Sequence, residues 1–197
     1  MQMSELVRAA RSYRRFEQTP ISCELLSELV DLARVSASGA NIQPLKYVLS
    51  YTQETNAKVF PCTAWAGYLK DWPGPEESER PTAYIIILSD PEITKHAGYD
   101  PGIAAQTIVL AAAERGVGAC MIGSVKRRKL IKDLGIASAY KIALVIALGV
   151  PGEDVVLEDV RKGDDIKYYR DENDVHHVPK RTLEEVIVEA VANRSKH

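Results

Sequence analysis

The densest chemistry in the chain lies near its start, in the run Arg11, Ser12, Tyr13, Arg14, Arg15, Phe16. A guanidinium presents paired N–H groups that match phosphate oxygens, and a serine adds a neutral donor. The same run also suits the end of a short helix over residues 5–11, where positive charge meets the helix dipole. On this run alone a phosphate grip and a solvated basic helix end are both open. A second segment reads Ser36, Ala37, Ser38, Gly39, Ala40, Asn41, Ile42, Gln43, Pro44. It mixes small residues, which let a backbone approach closely, with two amide side chains that donate and accept. A planar polar heterocycle needs that mixture. So does a helix-ending loop that ties down its own backbone.

The elements that must position these groups are legible in outline. Ser22 is placed to cap a helix, and Leu25, Leu26, Leu29, Leu32, Ala33 and Ser36 follow at helical spacing, which predicts one buried face. Residues 47–51 read as a strand and 54–60 as a weak helix. Residues 71–81, with Pro73, Gly74, Pro75 and Pro81, read as an exposed loop. The apolar, β-rich run over 83–88 predicts a central strand. Pro101 suits a first helical turn. Residues 102–115 are apolar nearly all round, which predicts a buried helix stopped by Gly116. A strand over 117–122, a helix over 126–134 and a strand over 142–148 follow. Residues 154–170 read as irregular and charged, and 182–192 as a last helix. The expectation is an α+β fold in three α-β-α layers, its sheet covered by helices on both faces. The 197 residues read as one domain, with 151–197 as a less compact arm and helix.

Composition narrows the function classes. The 25 Lys+Arg against 27 Asp+Glu leave a formal charge of −2, too little basic excess for a generalist nucleic-acid binder. With 46% hydrophobic residues the chain has the apolar content to fold. The longest apolar stretch, 103–113, is broken by Gln106 and Thr107 and is short of the ~20 residues of a membrane span. Cys23, Cys62 and Cys120 are odd in number and far apart, which fits neither a disulfide framework nor a zinc knuckle. These features suit a cytoplasmic protein that uses neither membrane nor nucleic acid. The basic run 126–129 reads first as a solvated helix face, with nuclear targeting or a nucleotide-phosphate contact as the other options. His176 and His177 point to opposite sides of an extended segment, which disfavours a shared metal. Trp65, Tyr68 and Trp72 suit a core, an interface or the wall of a cofactor cleft. Tyr168 and Tyr169 read as arm anchors. No Ser/His/Asp order, phosphate-binding loop or paired carboxylate motif is present.

Arg-Ser-x-Arg-x-Phe, then an amphipathic helix, then Ser-x-Ser-x-x-Asn-x-Gln-Pro resembles the nitroreductase family of FMN-dependent oxidoreductases. Residues 102–106 resemble the opening of that family's core helix, and 116–124 its segment beside the flavin ring. Residues 147–151 resemble its Leu-Gly-x-Pro strand end, and 178–181 its C-terminal basic motif. The match spans nearly the whole chain. The chain departs at Ala10, where many members carry Arg or Asn, at Ala37, where Pro is common, and at Leu45, where an aromatic is frequent.

The resemblance implies a mainly antiparallel mixed sheet, and a homodimer with an exchanged C-terminal arm and two FMN sites at the interface. Arg11, Ser12 and Tyr13 would lie at the FMN phosphate, joined by Lys180 and Arg181. Arg14 would sit near flavin N1 and O2 and tune the reduced ring. Ser36, Ala37, Ser38, Asn41 and Gln43 would line the ring and ribityl chain from the partner subunit. Ile122, Gly123 and Ser124 would lie beside the ring, the last two presenting backbone N–H groups toward O4 and N5. No catalytic group beyond the flavin and no metal would be needed. Hydride would pass from NAD(P)H through flavin N5 to a nitroaromatic, a quinone or a similar electron-poor acceptor, in ping-pong order. Alternatives are a flavin enzyme of this fold that dehalogenates or fragments flavin, a non-catalytic FMN-binding protein, and a sheet domain with no cofactor.

Overall fold

A computed structural model describes residues 2–189. The described residues form two compact units that divide after Glu153. In the first, helix α1 (Met3–Ala9) leads to the short strand β1 (Phe16–Glu17) and helix α2 (Cys23–Arg34). Strand β2 (Leu45–Ser50), helix α3 (Gln53–Val59), strand β3 (Ala83–Ser89) and helix α4 (Asp100–Glu114) follow. Strand β4 (Gly118–Ile122), helix α5 (Arg127–Leu134) and strand β5 (Lys141–Pro151) complete the unit.

The sheet runs β4-β5-β3-β2, every neighbouring pair antiparallel, and β1 pairs with the last residues of β5. The apolar run in β3 is buried on both sides because successive side chains point to opposite faces. Ile85 and Ile87 pack in one core with Leu26 and Leu29 of α2 and Ala104, Ala105 and Ile108 of α4. Tyr84, Ile86 and Leu88 pack in the other with Val59 of α3 and Leu130 of α5. The three layers expected from the sequence are therefore present.

Local signals explain the helix starts. The Ser22 side chain accepts a 3.2 Å bond from Leu25 N, satisfying one of the first-turn amides. Pro101 lies in the first turn of α4. Gly116, with φ +71°, turns the chain out of that helix. Two expectations change. Leu32 lies off the buried face of α2, being 38% exposed. Helix α4 is not buried all round: Tyr99, Ile103, Gln106 and Leu110 share a face that packs against no core, with Tyr99 90% exposed.

The second unit contains β6 (Val155–Val160), β7 (Tyr169–Arg170), β8 (His176–Arg181) and a one-turn helix α6 (Leu183–Val186). Strand β6 pairs parallel with β8, and β7 pairs antiparallel with it. The segment 154–170, read from sequence as irregular, thus contains two strands. The helix expected over 182–192 covers only 183–186 among the described residues, and 190–192 lie outside them. No helix of the described residues is long and apolar enough to cross a membrane.

Candidate functional site

The segment 11–16 leaves α1 and lies against β4, where Ser12 bridges Ala119 in parallel and Tyr13 N–H donates to Ala119 O at 3.0 Å. Three glycines make room for it. The position of a Cβ on Gly118 lies 2.8 Å from Tyr13 Cδ2, and that on Gly149 lies 2.9 Å from Phe16 Cδ1. These two residues are paired across β4 and β5, so both face one side of the sheet. A Cβ on Gly152 would meet the Phe16 backbone at 3.1 Å, and Gly152 N–H donates to Arg15 O at 2.9 Å.

Glu153 fixes the segment from its other side. Its Oε1 accepts the backbone N–H of Arg14 and, at 3.1 Å, that of Arg15. Sequence reasoning missed this carboxylate, because no local pattern links residues 139 positions apart. Arg14 is 8% exposed and its Nη1 donates to Ser12 O at 3.1 Å. Arg15 turns away to Glu79 at 3.3 Å.

Arg11 donates one Nη2 hydrogen bond to Val7 O. Its Nε is buried with no partner among the described residues. Burial pulls this guanidinium below its ordinary value, so an incoming anion would restore its charge preference. Unmet donor capacity on Arg11, next in the chain to Ser12, fits a phosphate group. Cys120 lies next to Ala119 on β4, and burial pushes its thiol up to about 11.

The loop after α2 is held by side chains. Ser36 Oγ lies 2.8 Å from Thr107 Oγ1 of α4. Asp100, 7% exposed in the first turn of α4, accepts Ser38 Oγ–H at 2.6 Å and Gly39 N–H at 2.9 Å. Ser38 Oγ accepts Gln43 N–H at 2.9 Å in turn. Asp100 is a second residue that sequence reasoning missed, since an acid in a first helical turn has an ordinary reading. Ala40, Asn41 and Gln43 have φ of 48°, 55° and 54°, a left-handed conformation that non-glycine residues adopt at a cost. The result presents Ala37, Asn41 and Gln43 to solvent.

At the end of β4, Ile122 is buried while Gly123 and Ser124 are exposed. Ser124 O accepts Ala64 N–H at 3.0 Å, and Gly123 O accepts from Arg127 at 3.1 Å. Trp65 follows Ala64, its Nε1 donating to Thr63 Oγ1 at 3.1 Å, so this tryptophan stands close to the β4 end. Trp72 instead lies 6.0 Å under the Arg15 guanidinium, and Tyr68 is exposed.

Within one chain these pieces form two sets. Arg11–Arg14 sit where β4 begins, just past the C-terminal end of α4. Ser38 and Gly39 sit at the N-terminal end of α4, bonded to Asp100, while Ser36 meets Thr107 halfway along it. Helix α4 has 15 residues and is about 22 Å long, so Ser38 and Gly39 lie a helix length from the C-terminal end and Ser36 about half of that. Lys180 and Arg181 lie on β8 in the second unit, where Arg181 pairs with Glu185 and Lys180 is exposed. His176 is buried and His177 contacts Glu158 and Asp171, on opposite sides of β8 as expected. No metal-binding cluster occurs among the described residues.

Comparison with known proteins places this architecture in a class. The profile of the Nitroreductase family matches residues 7–150, and the chain belongs to the nitroreductase family. It is 26% identical over 169 residues to a Methanothermobacter thermautotrophicus protein provisionally named an NADH dehydrogenase/NAD(P)H nitroreductase, covering 81% of this chain and 83% of that one. It is 24% identical over 200 residues to the 4-nitrobenzoate reductase of Pseudomonas putida, covering 79% and 88%. Among solved structures, a nitroreductase family protein of Streptococcus pneumoniae superposes with TM-score 0.71 at 15% identity, covering 96% of this chain and all of that one. An FMN-dependent nitroreductase of Clostridium difficile gives 0.64 at 21% identity, covering 77% and 89%.

Proposed function

We propose that the chain is an FMN-dependent NAD(P)H oxidoreductase that works in the cytoplasm as a homodimer and reduces electron-poor acceptors such as nitroaromatics or quinones. The observation that carries this reading is the unmet donor of the grip: the buried Arg11 Nε beside Ser12, on a backbone that Glu153 holds still. Bound FMN would supply the redox chemistry, taking hydride from NAD(P)H and giving it to the acceptor.

The chain's own residues bind, orient and tune. Arg11 and Ser12, beside Tyr13, would hold the phosphate, and Lys180 and Arg181 would add charge to it. Arg14 would stand near N1 and O2, where its charge would favour the reduced ring. Gly123 and Ser124 would meet the O4 and N5 side, beside Ile122. From Ala119, which touches Ser12, to Gly123 is four strand residues, or about 13 Å. That length leaves room for a ribityl chain between phosphate and ring.

Ser38 lies at the far end of α4 from that grip, with Ser36 midway along the helix, and Ala37, Asn41 and Gln43 belong to the same loop. They are therefore assigned to the site of a second copy. The uncovered face of α4 and the outer edge of β2, unpaired among the described residues, suit such a dimer. The arm, 151–197, would be exchanged across it, leaving one functional domain per chain.

The test is the absorption spectrum of the purified protein, followed by anaerobic titration with NADH and NADPH and re-oxidation by 4-nitrobenzoate. Flavin bands that bleach with reductant and return with acceptor are expected. Absence of flavin bands overturns the cofactor assignment. Bands that do not bleach indicate a binding protein, and loss of the flavin itself indicates fragmentation. Arg14→Ala is expected to slow reduction more than it weakens FMN retention, and Arg11→Ala the reverse. Equal loss of both properties in both variants refutes the division of roles.

A further inference from the structure

A cavity of 370 Å3 opens where β3 begins, beside α3 and the connection from β1 to α2. None of its lining residues is among those assigned to the flavin. Its volume falls within the range of small-molecule sites. Most of its polar groups are used by the fold. Asn56 donates to Thr82 O at 2.7 Å and accepts from Ser50 Oγ at 2.7 Å. Gln18 Nε2 donates to Arg80 O at 3.0 Å, and Thr82 Oγ1 donates to Thr19 O at 2.9 Å.

Two donors are left unspent. Tyr84 is fully buried, yet its hydroxyl has no hydrogen-bond partner among the described residues. Arg80 makes no hydrogen bond or ion pair through its guanidinium among those residues, and its Nε is buried. The neighbouring acid, Glu79, is taken by Arg15. A buried polar group without a partner is costly to the fold, so two of them on one cavity call for an explanation. Burial pushes the Tyr84 phenol above its ordinary value while the charge of Arg80 opposes that shift. The phenol therefore keeps its proton and stands within electrostatic reach of the guanidinium.

We propose that this cavity binds a small planar monocarboxylate of benzoate type, its carboxylate held by Arg80 and the Tyr84 hydroxyl and its ring lodged against Phe60. The guanidinium lies over the Phe60 ring at 4.1 Å, which leaves its edge N–H groups open to a carboxylate fork. Pro20, Pro81 and Ala57 supply apolar wall. That wall suits an aromatic body and leaves the remaining oxygens of an inorganic phosphate unmet. Glu77 at the exposed rim opposes a second negative charge, which selects a monoanion.

The test is calorimetric titration of benzoate into the purified full-length protein, with flavin absorption recorded in parallel. Saturable binding is expected, with benzamide and inorganic phosphate at least about tenfold weaker. Arg80→Gln should weaken benzoate about tenfold or more, and Tyr84→Phe by several-fold, as for charge-assisted hydrogen bonds. Tyr84→Phe should melt at or above the wild-type temperature, because the hydroxyl it removes has no partner in the fold. Several results overturn the proposal. These are no saturable binding, equal affinity in wild type and both variants, benzamide or phosphate binding as tightly as benzoate, or a clear fall in melting temperature for Tyr84→Phe. A benzoate-induced change in the flavin bands that survives Arg80→Gln also overturns it, because the ligand then sits at the flavin. The proposal does not depend on the flavin chemistry, since the binding readout holds whether or not the protein turns over NAD(P)H.

Discussion

Replacing Gly149 by alanine measures how tightly the N-terminal segment is seated. Gly149 lies in a strand at an ordinary φ, so alanine meets no backbone obstacle there. On conformational entropy alone the substitution should stabilise by about 0.4–1 kcal/mol, by restricting the unfolded chain. The packing predicts the opposite sign. The new methyl carbon would stand 2.9 Å from Phe16 Cδ1 and 3.0 Å from its Cβ and Cγ. Carbon atoms rest at about 3.5–4.0 Å, so three contacts are each about 0.5–1 Å too close.

Phe16 is 2% exposed and its backbone is paired to Pro151, so the ring cannot swing clear without moving β1. Overpacking of this kind costs about 1–3 kcal/mol. The net expectation is a loss of about 1–2 kcal/mol, or roughly 2–8 °C in Tm for a chain of this size. Urea unfolding of wild type, Gly149→Ala, Phe16→Ala and the double variant gives the coupling. Gly149→Ala should cost less by about 1 kcal/mol once the Phe16 ring is gone. Gly67→Ala is the control, since a Cβ there has nothing within 4 Å. A Gly149→Ala protein as stable as wild type, or more so, refutes the seating.

Other expectations concern separate parts of the chain. Asp100→Ala leaves the Ser38 hydroxyl and the Gly39 amide without their acceptor, a loss of about 1–3 kcal/mol. Hydrogen exchange at Gly39 should accelerate in Asp100→Ala and less so in Asp100→Asn, and unchanged exchange refutes the anchoring. His177 bonds to Glu158 through Nδ1 and lies 3.3 Å from Asp171 through Nε2, and the Glu158 bond is the main cause that raises its pKa above the ordinary 6.5. Because the folded value is the higher one, this contact stabilises fully below 6.5 and fades as pH rises through the raised value. Glu158→Gln should move the His177 NMR titration down toward 6.5, and an unmoved titration refutes the assignment. Native thiol titration at pH 8 should react first at Cys23, because Cys62 and Cys120 are buried and burial raises both thiols. All three should react in denaturant, and equal native rates would contradict the packing.

The sequence was most legible where one local rule sufficed. The Ser22 cap, the β3 run and the Pro101 start each rest on a few adjacent residues. The reading of α4 as buried all round failed because apolar composition alone does not say which faces of a helix its own core covers. Strand β6 went unread because Val156 and Leu157 are 38% exposed and acids follow them. Its partner β8 also lies about twenty residues away, so no alternation or turn marks the pairing. In the candidate site, donors with a motif were visible, but the carboxylates that hold them were not. Asp100 and Glu153 acquire their roles only when distant backbone N–H groups arrive beside them.

Glu153 carries a consequence for where the first unit can be cut. The family profile ends at residue 150, and an alignment would suggest truncating there. Such a fragment keeps the N-terminal basic run and the loop at 36–44 yet loses the acceptor for two backbone amides of the basic segment. The carboxylate acts as a noncovalent clasp, closing a ring of chain from Arg14 to Glu153 in the way a crosslink would. The smallest piece able to keep its arginines in place therefore ends beyond the last residue that shared ancestry marks.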